Sequence, residues 1–220
     1  GLPPRFAIPN SVVITPETTG LWERLDEQTL VWRLRIICPE ALSINLGFTK
    51  YFMPAGGGLF LYAADGSYVV GPHTEKDNAE SGDLWTAVVL GSDIMVEVTI
   101  PEATLGELQL VLTSINHGYR FFGEKHGDDS PRAGACNIDV ICPSADAWRN
   151  EIPAIGDYTL NGSWTCSGSM INNTAQDQTP YFLTANHCGV NSSNASTMVV
   201  YWNFYSPTCG AHGGGSLSTG

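Results

Sequence analysis

From about Val12 to His117 apolar and polar residues alternate with the two-residue period of strands, not the 3.6-residue period of helices. Residues 30–36 place Trp32, Leu34 and Ile36 on one face and Arg33 and Arg35 on the other. Ile94, Val96, Val98 and Ile100 repeat the alternation up to Pro101, and Leu108, Leu110 and Leu112 repeat it again. Residues 59–62 and 68–70 flank Asp65-Gly66, a dipeptide that readily takes the left-handed conformations of a tight hairpin turn. Glycines and prolines punctuate at short intervals, and no amphipathic run of ten or more residues reads as a helix. The pattern predicts an all-β chain whose residues 1–122 form a β-sandwich.

Residues 123–135 interrupt this texture. They are polar, contain Gly, Pro and Asp, and lack periodic apolar positions, so they read as an exposed linker. Lys125 and Arg132 in this seam are candidate processing sites for a trypsin-like enzyme. Beyond it, residues 136–220 form a second region in which cysteines appear and Arg149 is the remaining basic side chain. Strands are expected there at 158–160, 164–169, 181–184 and 198–202.

Composition narrows the function. Apolar residues make up 43% of the 220, enough for a real core, while charged residues are 15%, below the usual quarter. The net charge of −12 supplies no basic stripe for phosphates, so no nucleic-acid partner is expected. No apolar run is long enough to span a bilayer, and no membrane partner is expected. The chain opens on Gly1-Leu2-Pro3-Pro4 rather than Met, as a processed or partial product would. Five of the six cysteines, Cys136, Cys142, Cys166, Cys188 and Cys209, lie in the second region, as in a disulfide framework formed in an oxidising compartment. Their number is odd. There is no Cys-x-x-Cys or His-x-x-x-His spacing, so neither a metal nor another cofactor is expected.

The segment with chemical content is Tyr181-Phe182-Leu183-Thr184-Ala185-Asn186-His187-Cys188-Gly189, an apolar strand that ends in a histidine followed by a cysteine. It resembles the histidine segment of chymotrypsin-like proteases. Gly134-Ala135-Cys136-Asn137-Ile138-Asp139-Val140-Ile141-Cys142-Pro143 resembles the mature N-terminus of the bacterial lysyl endopeptidase family. Trp148-Arg149-Asn150-Glu151-Ile152, Gly162-Ser163-Trp164-Thr165-Cys166-Ser167-Gly168-Ser169, Asn172-Asn173-Thr174-Ala175, Val199-Val200-Tyr201-Trp202-Asn203 and Cys209 extend the likeness.

That resemblance implies a secreted bacterial serine endopeptidase precursor. Its sandwich would be a prosegment packed on its own protease domain, followed by a truncated chymotrypsin-like β-barrel. It implies cleavage of protein or peptide substrates after Lys or Arg by a monomer. It implies Cys166–Cys188 and Cys142–Cys209 bridges, a partner for Cys136 beyond residue 220, and a free Cys38. His187 would be the general base that takes the proton of an attacking serine and returns it to the leaving amine.

The remainder of a triad is not in this sequence. No Asp or Glu follows His187, and Ser216 and Ser218 sit in a Gly-rich tail without a nucleophile motif. Asp157 and Asp177 precede the histidine and match no triad position. The chain alone is therefore expected to be inactive. The rival expectation is a non-catalytic sandwich that binds carbohydrate or cell wall through Trp32, Trp85, Tyr51 and Tyr62, beside a decayed protease-like region. Exposure of those rings separates the two.

Overall fold

The computed structural model describes residues 3–120, 138–210, 215 and 217. The seam at 123–135 with Lys125 and Arg132, together with Cys136, Ser216 and Ser218, lies outside the described residues.

The protein is all-β, as the periodicity predicts. Strands β1 (Ala7–Ile14), β2 (Leu21–Arg24), β3 (Thr29–Ile37), β4 (Ser43–Phe52), β5 (Gly58–Ala63), β6 (Val69–His73), β7 (Leu84–Trp85), β8 (Val89–Leu90), β9 (Asp93–Pro101) and β10 (Gln109–Gly118) build two antiparallel sheets. One runs β1-β10-β4-β7, with β8 also on β4; the other runs β2-β3-β9-β5-β6. Trp32, Leu34 and Ile36 on β3 and Ile94, Val96, Val98 and Ile100 on β9 meet Ile44, Leu46 and Phe48 on β4 and Leu110 and Leu112 on β10. The two inner faces thus share one core, the arrangement of a sandwich. The polar face of β3 carries ion pairs: Arg33 with Glu97 and Glu23, Arg35 with Asp93.

Trp32 is 1% exposed and donates its indole N–H to the Thr19 carbonyl, while Tyr51 is also buried. Trp85 is half-buried, its ring against Gly47 and Gly162. Tyr62 is half-buried with its hydroxyl on Glu97. The aromatic residues that the carbohydrate-binding expectation requires on an exposed face are thus not arranged as an open platform. Cys38 is the free cysteine among the described residues; partial burial pushes its thiol pKa up.

The second region is a smaller antiparallel sheet of β11 (Ile155–Leu160), β12 (Trp164–Ile171), β13 (Tyr181–Thr184) and β14 (Val199–Trp202), in the order β13-β12-β11-β14. It is open, and no closed barrel forms among the described residues. Asn161 and Gly162, both at positive φ (50° and 61°), turn β11 into β12 as residues of a tight hairpin do. A side chain at 162 would strike Asn116 and Trp85, so this turn lies directly on the sandwich.

Contact between the regions explains β4, whose residues from Ser43 to Phe48 are buried on both faces. Ile44, Leu46 and Phe48 fill the sandwich core. Ser43, Asn45 and Gly47 point the other way, where Asn116, Trp85 and the Asn161-Gly162 turn cover them. Phe6, Ala7, Val88, Tyr201 and Leu217 form a separate buried cluster that joins the two regions, and the Val88 N–H donates to the Tyr201 hydroxyl at 3.0 Å.

Candidate active site

His187 lies in a single 3-10 turn, Asn186–Cys188, directly after β13. The strand delivers it: β13 pairs with β12 in the register Gly168↔Thr184 and Ile171↔Tyr181, which fixes where the chain leaves the sheet. Thr184 Oγ1 donates to the Ser167 carbonyl at 2.9 Å and shares a 2.8 Å hydrogen bond with the Tyr158 hydroxyl. Tyr158 is fully buried on β11, on the far side of β12, so its ring anchors the end of β13 to the middle of the sheet.

After the histidine the chain is held again. Cys188 is buried and bridged to Cys166 on β12, across 6.0 Å between Cα atoms. Gly189 ends the turn at φ +77°, a left-handed conformation that a side chain would strain. Its carbonyl accepts hydrogen bonds from the side-chain amides of Asn191 and Asn194. His187 therefore sits between two fixed points, while its own side chain is exposed. Among the described residues no carboxylate pairs with the ring.

The structure contains the two bridges that the resemblance implies, Cys166–Cys188 and Cys142–Cys209, the latter spanning 4.8 Å between Cα atoms. Cys166, Cys188 and His187 bring their ligand atoms within 4.8 Å of one another. Both sulfurs are committed to the disulfide, so this trio offers a metal no pair of thiolates.

Neither earlier acid is placed for a triad by sequence, and the structure gives both other work. Asp157 accepts hydrogen bonds from the Tyr158 N–H and the Thr165 hydroxyl within the sheet. Asp177 closes the β12–β13 loop by accepting from Asn173 Nδ2 at 2.7 Å and from the Thr179 N–H at 3.0 Å. The hydrogen bond from Asn173, reinforced by those from Thr179, holds its carboxyl at about 2. The positioning contributions of Tyr158 and of the Asn191/Asn194 pair carry no signal in the sequence, because a buried tyrosine in a strand and asparagines in a loop are ordinary residues in ordinary places.

The two faces of the small sheet differ. Tyr158, Leu160 and Cys188 form a cluster on the face that carries the Cys166 side chain. Tyr201 is on the opposite face and packs on the sandwich. Further along that second face, Ile155, Ile171, Tyr181 and Leu183 are exposed in cross-strand register. An open depression of about 470 Å³ adjoins them, lined by Pro4, Val140, Ile155, Asp157, Ser167 and Tyr205 among others and not by His187.

Residues 130–219 match the family described as lysyl endopeptidase, C-terminal domain. A curated relative, lysyl endopeptidase of Pseudomonas aeruginosa, is 26% identical over 165 residues, covering 70% of this chain and 33% of the relative. The chain thus spans about a third of the length of the relative it matches. The match covers the histidine turn, both disulfides and the small sheet, and it falls on the same stretch, Gly134 to Cys209, whose motifs resemble the lysyl endopeptidase family.

Proposed function

We propose that this chain is part of the precursor of a secreted serine endopeptidase that cleaves after Lys or Arg, with His187 as its general base. The observation that carries the reading is the presentation of His187: exposed, at the end of a strand pinned by Tyr158, and followed by a buried cysteine bridged to the next strand. A general base must hold its ring within hydrogen-bond reach of one hydroxyl, and misplacement by about 1 Å can cost a hundredfold in rate. The constraint on both sides of His187 meets that requirement while leaving the ring open to a substrate and a nucleophile.

The exposed apolar row Ile155, Ile171, Tyr181 and Leu183 supports a reading in which further protease polypeptide covers this sheet and supplies the acid and serine of the triad. The sandwich is then the prosegment. It packs on the face of the sheet opposite the Cys166–Cys188 bridge. His187 remains exposed with the sandwich in place, so any silencing before processing does not come from burial of this histidine.

The test is expression of the whole gene product that contains this chain, assayed on Lys- and Arg-p-nitroanilide peptides. The wild type is expected to hydrolyse one or both, and His187→Ala to lower kcat by ~10⁴-fold or more. The 220-residue chain by itself is expected to hydrolyse neither. A whole gene product without hydrolysis, or a His187→Ala variant as active as wild type, overturns the assignment.

A further inference from the structure

We propose that residues 4–7 are a strap that holds the sandwich on the protease-like sheet by strand addition, and that keeps the two regions together once the chain between them is cut. The inference rests on contacts alone and not on the reaction assigned to His187.

The physical starting point is the edge of β12. On one side β12 pairs along its length with β11, from Trp164↔Leu160 to Ser169↔Ile155. On the other side β13 is short and pairs only with residues Gly168 to Ile171. The first half of that edge would be left with unpaired backbone donors and acceptors, and such edges are templates for another strand. Residues 4–6 occupy it. Arg5 and Trp164 form an antiparallel bridge, the Thr165 N–H donates to the Pro4 carbonyl at 2.9 Å, and the Phe6 N–H donates to the Ser163 carbonyl at 2.9 Å. The Arg5 guanidinium lies over the Trp164 ring, 5.6 Å from its centroid.

The other end of the strap belongs to the sandwich. Ala7 begins β1, and the Phe6 carbonyl accepts from the Tyr119 and Arg120 N–H groups just past β10. The Phe6 side chain is 1% exposed, and it packs in a cluster with Val88 of the first region and Tyr201 of the second. The same residues thus complete a sheet in one region, plug a hydrophobic seam between both, and continue into the first strand of the other. The seam also holds the buried Val88–Tyr201 hydrogen bond and the Gly162 turn against Trp85, while the contact of Ser196 Oγ with Asp83 Oδ2 at 2.9 Å is solvent-exposed and adds little by itself.

Cleavage between the regions breaks one peptide bond and none of these contacts. After it, residues 4–7 supply the backbone-to-backbone hydrogen bonds between the two products among the described residues, and separation requires pulling Phe6 from its seam and stripping the edge of β12, besides breaking the Val88–Tyr201 hydrogen bond.

The experiment uses the full chain with a recognition sequence for a rare-cutting endopeptidase placed between residues 121 and 137, nicked to completion as judged on a denaturing gel. Size-exclusion chromatography at micromolar concentration is expected to show one species for the nicked wild type. Nicked Phe6→Ala is expected to dissociate on the order of a hundredfold more readily, since an emptied aromatic site forfeits that much affinity. Leu112→Ala, which opens the sandwich core away from the seam, is the control for general destabilisation and is expected to stay joined. Hydrogen exchange on the intact wild type gives an independent reading, with the Thr165 and Phe6 amides expected to be protected like those inside β11. Separation of the nicked wild type overturns the proposal. So does co-elution of nicked Phe6→Ala at wild-type affinity, or exchange of the Thr165 amide as fast as a loop amide. A Phe6→Ala chain that fails to fold leaves the wild-type nicking and exchange results to decide.

Discussion

The two regions solve the same problem, burying one face of an antiparallel sheet, with different means. The sandwich pools nineteen buried residues into one core and contains no disulfide among the described residues. The small sheet has a three-residue buried cluster of its own, shares a second cluster with the sandwich, and holds two disulfides. A four-stranded sheet of this size buries too little apolar surface to offset the conformational entropy of its long connections, and cross-links lower that entropy in the unfolded chain. The difference also fits the work proposed for each: a stiff scaffold on one side, and on the other a sheet with an apolar row left exposed beyond the part that packs on the sandwich.

The comparison can be broken most directly at the bridges. Replacing Cys142 and Cys209 by serine is expected to cost the second region about 4 kcal/mol, and Cys166 and Cys188 about 3 kcal/mol, by chain-entropy arithmetic over separations of 67 and 22 residues. Urea titration followed by region-resolved hydrogen exchange should show residues 155–202 opening first, with β3 and β9 unmoved. Simultaneous loss of both regions would mean that they fold as one unit and that the division of means is false.

A cavity in the sandwich is the converse experiment. Leu61 is fully buried, and Leu61→Ala is expected to cost the first region about 3 kcal/mol, read as a lower urea midpoint for exchange in β5 and β9. Exchange in β11 and β12 should change less than in β5.

The smallest expected effect is a pH dependence confined to the sandwich. His73 is mostly buried, and burial lowers its pKa from the ordinary value near 6.5, with Asp77, 3.8 Å from Nδ1, partly opposing. Between the folded value and about 6.5 the unfolded chain binds the extra proton, so stability rises with pH through that window. The first region should therefore be less stable at pH 5 than at pH 7, and His73→Gln should flatten this slope. An equal slope in the variant would place the titrating group elsewhere.

Much of this architecture is legible in the residues. β3 and β9 could be read because each has one wet face and one dry face, so Trp32, Leu34 and Ile36 alternate with arginines that need water. β4 could not, because both of its faces are dry: one is covered by the core and the other by a turn more than a hundred residues away in sequence. The histidine turn was visible because its constraint is local, a strand, a His and a Cys in succession. The partners that pin it, Tyr158 and the Asn191/Asn194 amides, were not, because hydrogen bonds between distant segments leave no period and no motif.

The sequence by itself thus determined the class of fold, the likeness of residues 134–209 to lysyl endopeptidases and the place of His187 at the end of a strand, since each depends on short-range pattern or on a string of neighbouring residues. Tertiary structure alone decided how the regions join. Residues 4–6 carry no alternation of their own, and only a vacant half-edge on β12 and a seam between Val88 and Tyr201 give Phe6 its place. Backbone hydrogen bonds and buried contacts of that kind are properties of two surfaces brought together, and neither surface is written in the segment that fills them.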